Sequence, residues 1–132
     1  MNEAYTLYLG KVKKIVKNKK SKFSYIFSIN KIGHGKKTEK ILKVPGNLAL
    51  GEFDLKIRSV MKFDSWDHMS AFYEGKPHRS PEIATITPDG DGDNSNLTIE
   101  NLQLEEGSEL GYVYDFGDDV QCLLTVNEIQ PL

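Results

Sequence analysis

Asp115, Asp118 and Asp119 crowd around Gly117 in the stretch Tyr112-Val113-Tyr114-Asp115-Phe116-Gly117-Asp118-Asp119. Carboxylates this close perturb one another's protonation, which suits acid–base catalysis or cation binding. The competing use is structural. An Asp two residues before a turn glycine accepts hydrogen bonds from backbone amides, and that is the use expected of Asp115. A second acidic group spans Asp89 to Glu100. Asp89, Asp91, Asp93 and Glu100 fall at positions 1, 3, 5 and 12 of an EF-hand-like spacing, with Ser95 between them, where hard oxygens could converge on Ca²⁺. Asn94 stands where the turn glycine belongs, Asn96 replaces an apolar residue, and the preceding 83–88 segment is strand-like. A bare acidic surface loop is therefore expected, with a weak Ca²⁺ site at most and no other cofactor.

The remaining reactive side chains are His34, His68, His78 and Cys122, whose separations match no zinc pattern. Cys122 alternates with apolar neighbours and reads as a small core residue. Two motif matches fail. Gly35-Lys36-Lys37 lacks the earlier glycine and the hydroxyl residue of a phosphate loop, and Asp115-Phe116-Gly117 stands without the other kinase motifs.

The formal charge of −2 hides a strong asymmetry. Residues 1–45 hold 12 Lys and 2 Glu, whereas the rest hold 5 Lys or Arg and 17 acids. Lys13, Lys14, Lys17, Lys19 and Lys20 crowd near Tyr5, Tyr8, Phe23 and Tyr25, a mixture able to track a phosphate backbone and stack bases. Lysines on exposed strands also discourage edge pairing. The expectation is that the basic strands lie beside the acidic remainder and offset it. Nucleic acid and protein are the partner classes left open.

These groups must be held by a mainly antiparallel α+β domain. Strands are expected over Tyr5–Val16, Lys22–Ile32 and Thr38–Val44, with a hairpin loop at Asn18–Ser21. Leu50, Phe53, Ile57, Val60 and Met61 follow helical spacing, which predicts one principal helix over residues 50–62 with Glu52 and Asp54 in its first turn. Ala71-Phe72-Tyr73 and Glu82–Thr87 read as short strands. Tyr112, Tyr114 and Phe116 share one face of a strand whose partner runs through Val120, Cys122, Leu124 and Val126. Phe116 is thus expected in the core. At 132 residues the chain is expected to form a single domain, 1–132, and to fold without staples. One cysteine excludes an internal disulfide, and no apolar run or signal-like leader is evident, so a cytoplasmic protein without membrane contact is expected.

Tyr114-Asp115-Phe116-Gly117-Asp118 resembles the signature of the plasmid pRiA4b ORF-3-like family, small proteins often found near mobile elements and without an agreed activity. Val44–Leu50 resembles that family's lead into its main helix, and His68 with Phe72 its His-x-x-x-Phe element. The resemblance covers residues 23–129. Trp and His usually stand two and four residues after the signature, where this chain has Val120 and Cys122, and a Trp-Arg pair before the helix has no counterpart near Glu39 and Lys40. Any site built on those groups is incomplete here. The family-motif candidates are His68, Phe72, Tyr114, Asp115, Phe116, Gly117 and Asp118. The resulting reading is a small cytosolic binding or interaction domain. The alternatives are a Ca²⁺-binding protein and an acid–base enzyme using His68 with Asp115 and Asp118.

Overall fold

The computed structural model describes residues 22–64 and 67–132. The expected strand at Tyr5–Val16, its loop and the lysines Lys13, Lys14, Lys17, Lys19 and Lys20 lie outside them. The elements run β1 (Phe23–Lys31), β2 (Lys40–Pro45), α1 (Leu50–Met61), β3 (Ser70–Tyr73), β4 (Glu82–Ile86), β5 (Glu109–Tyr114) and β6 (Val120–Pro131). Short 3₁₀ turns occupy Gly35–Thr38 and Glu100–Leu102. The strands form one sheet in the order β2-β1-β6-β5-β3-β4, antiparallel at every pairing. Both edges of β1 are taken, by β2 and β6. This is the expected α+β architecture, and no helix among the described residues is long and apolar enough to cross a membrane.

Alternation along the strands decides which face meets the helix. Tyr25, Phe27 and Ile29 of β1, Leu110, Tyr112 and Tyr114 of β5, and Cys122, Leu124 and Val126 of β6 join Leu50, Phe53, Ile57 and Met61 of α1 in the main core. Rings carry contact across it: Phe27 lies 5.0 Å from Phe53, Phe53 5.6 Å from Phe72, and Phe72 5.3 Å from Tyr112. Tyr73, Ala71 and Val113 form a smaller cluster apart from it. There Gly111 lets the 75–77 turn rest on the sheet, since a β-carbon at that position would come within 2.1 Å of the Gly75 carbonyl oxygen.

Phe116 departs from the aromatic row. The strand ends at Tyr114, Asp115 takes a left-handed φ of 59°, and the Phe116 ring is 46 % exposed. The period-two pattern was extended two residues past the point where the backbone turns. Asp54 also departs from its expected role. Of the two acids expected in the first turn only Glu52 lies there, and Asp54 is fully buried.

The 87–99 loop has two structural duties. Its Asp93 and Asp91 carbonyls accept from Thr85 N and Thr87 N at 3.0 and 2.7 Å, and Asn94 Nδ2 donates to Ile83 O at 3.1 Å, so the loop runs back along β4. Leu97 O and Ser95 O then accept from the first helical amides, Leu50 N at 2.8 Å and Gly51 N at 3.0 Å. Those amides lack intrahelical partners, and Ala49 at the N-cap offers no side-chain acceptor. The order of strands also separates charge within the described residues. Lys36, Lys37, Lys40 and Lys43 lie at the β2 end, and Asp89, Asp91 and Asp93 at the β4 end.

Replacing Phe72 by Ala is expected to destabilise the protein by about 3–5 kcal/mol. Phe116→Ala should stay within about 0.5 kcal/mol of the parent. Urea denaturation of both variants checks the order; a larger loss for Phe116→Ala would mean the core is misplaced.

Candidate functional site

The end of β5 and the start of β6 gather most of the family-motif residues. Asp115 Oδ1 accepts from Gly117 N at 3.0 Å and from Asp118 N at 3.3 Å, the structural use expected of a turn Asp. Its other oxygen, Oδ2, lies 3.3 Å from His68 Nδ1. The edge of the His68 ring meets Tyr114 at 5.6 Å. Tyr114 stacks on Phe63 at 4.7 Å and donates its hydroxyl proton to the Asp64 carbonyl. His68 and Asp115 thus lie together, one part of what the acid–base alternative requires, which is His68 meeting both Asp115 and Asp118 in one cleft. Asp118 joins them only through its backbone amide, and Phe72 is packed in the core.

Beneath this surface pair sits a buried ionic cluster. Arg58, one helical turn after Asp54, donates from Nε to Asp54 Oδ1 at 3.1 Å. Its Nη2 donates to the His68 carbonyl at 2.8 Å and to Ser70 Oγ at 3.2 Å. Asp54 Oδ1 also accepts from Ser70 Oγ at 2.5 Å and Tyr112 OH at 2.7 Å. Asp54 Oδ2 sits 3.0 Å from Arg58 Nε, a close electrostatic contact without the alignment of a hydrogen bond, and Arg58 Nη1 has no hydrogen-bond partner. The guanidinium carbon lies 5.2 Å from the centre of the Tyr114 ring, whose π face favours a cation. Burial opposes the Arg58 charge, but the Asp54 carboxylate, the neighbouring Tyr112 phenol and the hydrogen bond that Arg58 donates to Asp54 outweigh it and raise the pKa. Burial, then the neighbouring Asp54 charge, pushes the Tyr112 phenol well above its ordinary value. Residue spacing alone does not reveal this cluster, because an i, i+4 Asp–Arg pair on a helix usually marks an exposed face.

A second His–Asp pair, also unanticipated, lies beyond the same turn. His78 Nε2 is 2.8 Å from Asp119 Oδ1, and His78 Nδ1 is 3.3 Å from Tyr73 OH. Gln121 Nε2 donates to Asp119 Oδ2 at 2.9 Å. The hydrogen bond to His78, and after it that from Gln121, holds the Asp119 carboxyl below its ordinary value. An open cleft of about 420 Å³ adjoins Asp119, lined by Lys31, Ile32, His34, Asp118, Val120 and Gln121. Its lining does not include His68 or Asp115.

The acidic 89–100 segment is dispersed. Asp89 accepts from Thr87 Oγ1 and from Asp91 N at 3.2 Å, whereas the Glu100 carboxylate packs against Gly46, with Oε1 3.4 Å from Lys22 N. Ser95 is buried beside the start of α1. Among the described residues no three His, Cys, Asp or Glu side chains are arranged to hold a metal ion. Cys122 is buried opposite Tyr112, and burial pushes its thiol up to about 12.

Two stability effects follow. Arg58→Met leaves Asp54 buried and unpaired and should cost about 3–5 kcal/mol in urea denaturation. Tyr112 and Cys122 both have raised pKa values when folded, so the folded chain keeps protons that the unfolded chain releases. Their stabilisation is fully present below the unfolded thiol value of 9.0 and is lost as pH rises toward the folded value of about 12. The melting temperature should fall from about pH 9 upward, less steeply in Cys122→Ala; a flat profile would contradict the burial of both groups.

The fold is shared with a crystal structure titled protein of unknown function MM3350 from Methanosarcina mazei Go1. The TM-score is 0.67 at 21 % identity, and the match covers 87 % of this chain and 65 % of that one. No curated protein matches the sequence. The family described as plasmid pRiA4b ORF-3-like protein matches residues 24–132, most of the chain and all seven of the elements that build the sheet and its helix, and the protein belongs to that family.

Proposed function

We propose that the protein is a binding domain that receives a polar group of a partner, most naturally a protein, in the cleft beside the β5–β6 turn. The observation that carries this reading is the cleft itself. Its volume of about 420 Å³ and its open, charged lining suit a ligand group, and its walls offer Lys31 and His34 as well as Asp118 and Asp119. Binding needs this arrangement only to be complementary to a ligand, whereas catalysis would also need an acid or base aimed into the same space.

The acid–base alternative draws support from the 3.3 Å contact of His68 with Asp115. It is the weaker reading because the second Asp115 oxygen is committed to the turn and neither residue lines the cleft. The Ca²⁺ alternative has its carboxylates spread between β4 and the Glu100 turn. A nucleic-acid partner would have to use lysines away from the cleft, since Asp118 and Asp119 repel phosphates there.

Titrating the ¹⁵N-labelled protein with a panel of short peptides at millimolar concentration tests the proposal. Amide shifts are expected at residues 31–34 and 118–121 and should be lost in Asp118→Ala. A panel that shifts only residues elsewhere, or none, would defeat it.

A further inference from the structure

We propose that the cleft selects a cationic side chain on an aliphatic stem, and that His78 is the positioning residue that sets this preference by holding the Asp119 carboxylate. This rests on the binding reading above. Asp119 has both oxygens engaged, Oδ1 by His78 Nε2 at 2.8 Å and Oδ2 by Gln121 Nε2 at 2.9 Å. Two fixed donors leave the carboxylate with one orientation. The Tyr73 hydroxyl lies 3.3 Å from Nδ1, and the imidazole is a neutral donor to Asp119 whenever Nε2 carries its only proton. In that state both donors to Asp119 are uncharged, and the full negative charge stands on the cleft wall next to Asp118. Ile32 and Val120 supply apolar surface for a stem. The one lysine of the lining, Lys31, has its ammonium 5.4 Å from the centre of the Phe63 ring, where the aromatic face engages its charge.

The backbone that carries His78 is closed into a turn, and the His78 and Asp119 side chains themselves are about half exposed. His78 and Asp119 have φ values of 63° and 52°, a left-handed conformation that residues with a β-carbon adopt only where contacts compel it. The turn carrying His78 is closed by Glu74 N to Pro81 O at 2.9 Å and Gly75 N to Ser80 Oγ at 2.8 Å, and it rests against Gly111. The titratable groups facing the imidazole are Tyr73 from β3 and Asp119 from the turn, with Glu82 of β4 acting on the Tyr73 hydroxyl. Protonation of His78 would place a positive charge 2.8 Å from the Asp119 oxygen and cancel the charge the ligand reads.

The experiment uses three capped amino acids, lysine, norleucine and glutamate, each with an acetylated amine and a methylamide end. Their affinities are measured by amide shift titration at about pH 8 and about pH 5.5, which bracket ordinary histidine titration. The lysine probe should bind best at the higher pH and lose affinity several-fold at the lower. In His78→Gln, whose amide can still donate to Asp119 but does not titrate, that loss should largely disappear, whereas His34→Gln should retain it. Unchanged spectra away from the substitutions establish that both variants are folded. Norleucine or glutamate binding as well as lysine, the same pH loss in His78→Gln, or its disappearance in His34→Gln would overturn the inference while leaving the cleft a binding site. If no probe shifts residues 31–34 or 118–121, the binding reading fails and this inference with it.

Discussion

The Asp54–Arg58 pair is the constraint around which the rest of the molecule is arranged. A carboxylate and a guanidinium cannot be taken out of water cheaply, so most of their hydrogen-bonding positions are met by what packs against them, Asp54 Oδ2 and Arg58 Nη1 being exceptions among the described residues. Here those partners come from three elements: the His68 carbonyl and Ser70 at the start of β3, Tyr112 in the middle of β5, and α1 itself. The pair therefore fixes how the helix is seated on the sheet. An apolar core accepts many small shifts of a helix across it, whereas four directed hydrogen bonds from the helix to β3, its lead-in and β5 do not. Seating β3 in this way also places the His68 ring over Tyr114 and beside Asp115.

The 87–99 loop completes the frame from the other side. A short outer strand such as β4 has amides to satisfy, and a helix that begins at Ala49 has amides with no side-chain cap. One segment answers both needs, first along Thr85 and Thr87 and then at Leu50 and Gly51. Its acidic composition is compatible with this because the backbone carbonyls make most of the contacts, leaving Asp91 and Asp93 exposed.

The fold was largely legible in the sequence because it rests on periodicity. The 3.6-residue stripe from Leu50 to Met61 marked the helix, and alternation through Tyr112, Tyr114, Cys122 and Leu124 marked the inward faces of β5 and β6. The turn chemistry of Asp115 was legible too, since an Asp two residues before Gly is a local signal. What could not be read depends on pairing between distant positions. His78 meets Asp119 across 41 residues, and Tyr112 meets Asp54 across 58. Asp54 read as a first-turn acid serving the helix dipole, whereas its burial and pairing are decided by β3 and β5. Phe116 failed for the opposite reason: the pattern continued in sequence after the backbone had already turned.

Gly111 links two of these features. The absent side chain at that position is what allows the 75–77 turn to touch the sheet, and the same turn carries His78 toward Asp119. A single methyl group at 111 would lift the turn and part the pair without altering either residue of it. The His78–Asp119 contact thus depends on a position that belongs to neither residue, through the backbone approach that Gly111 permits.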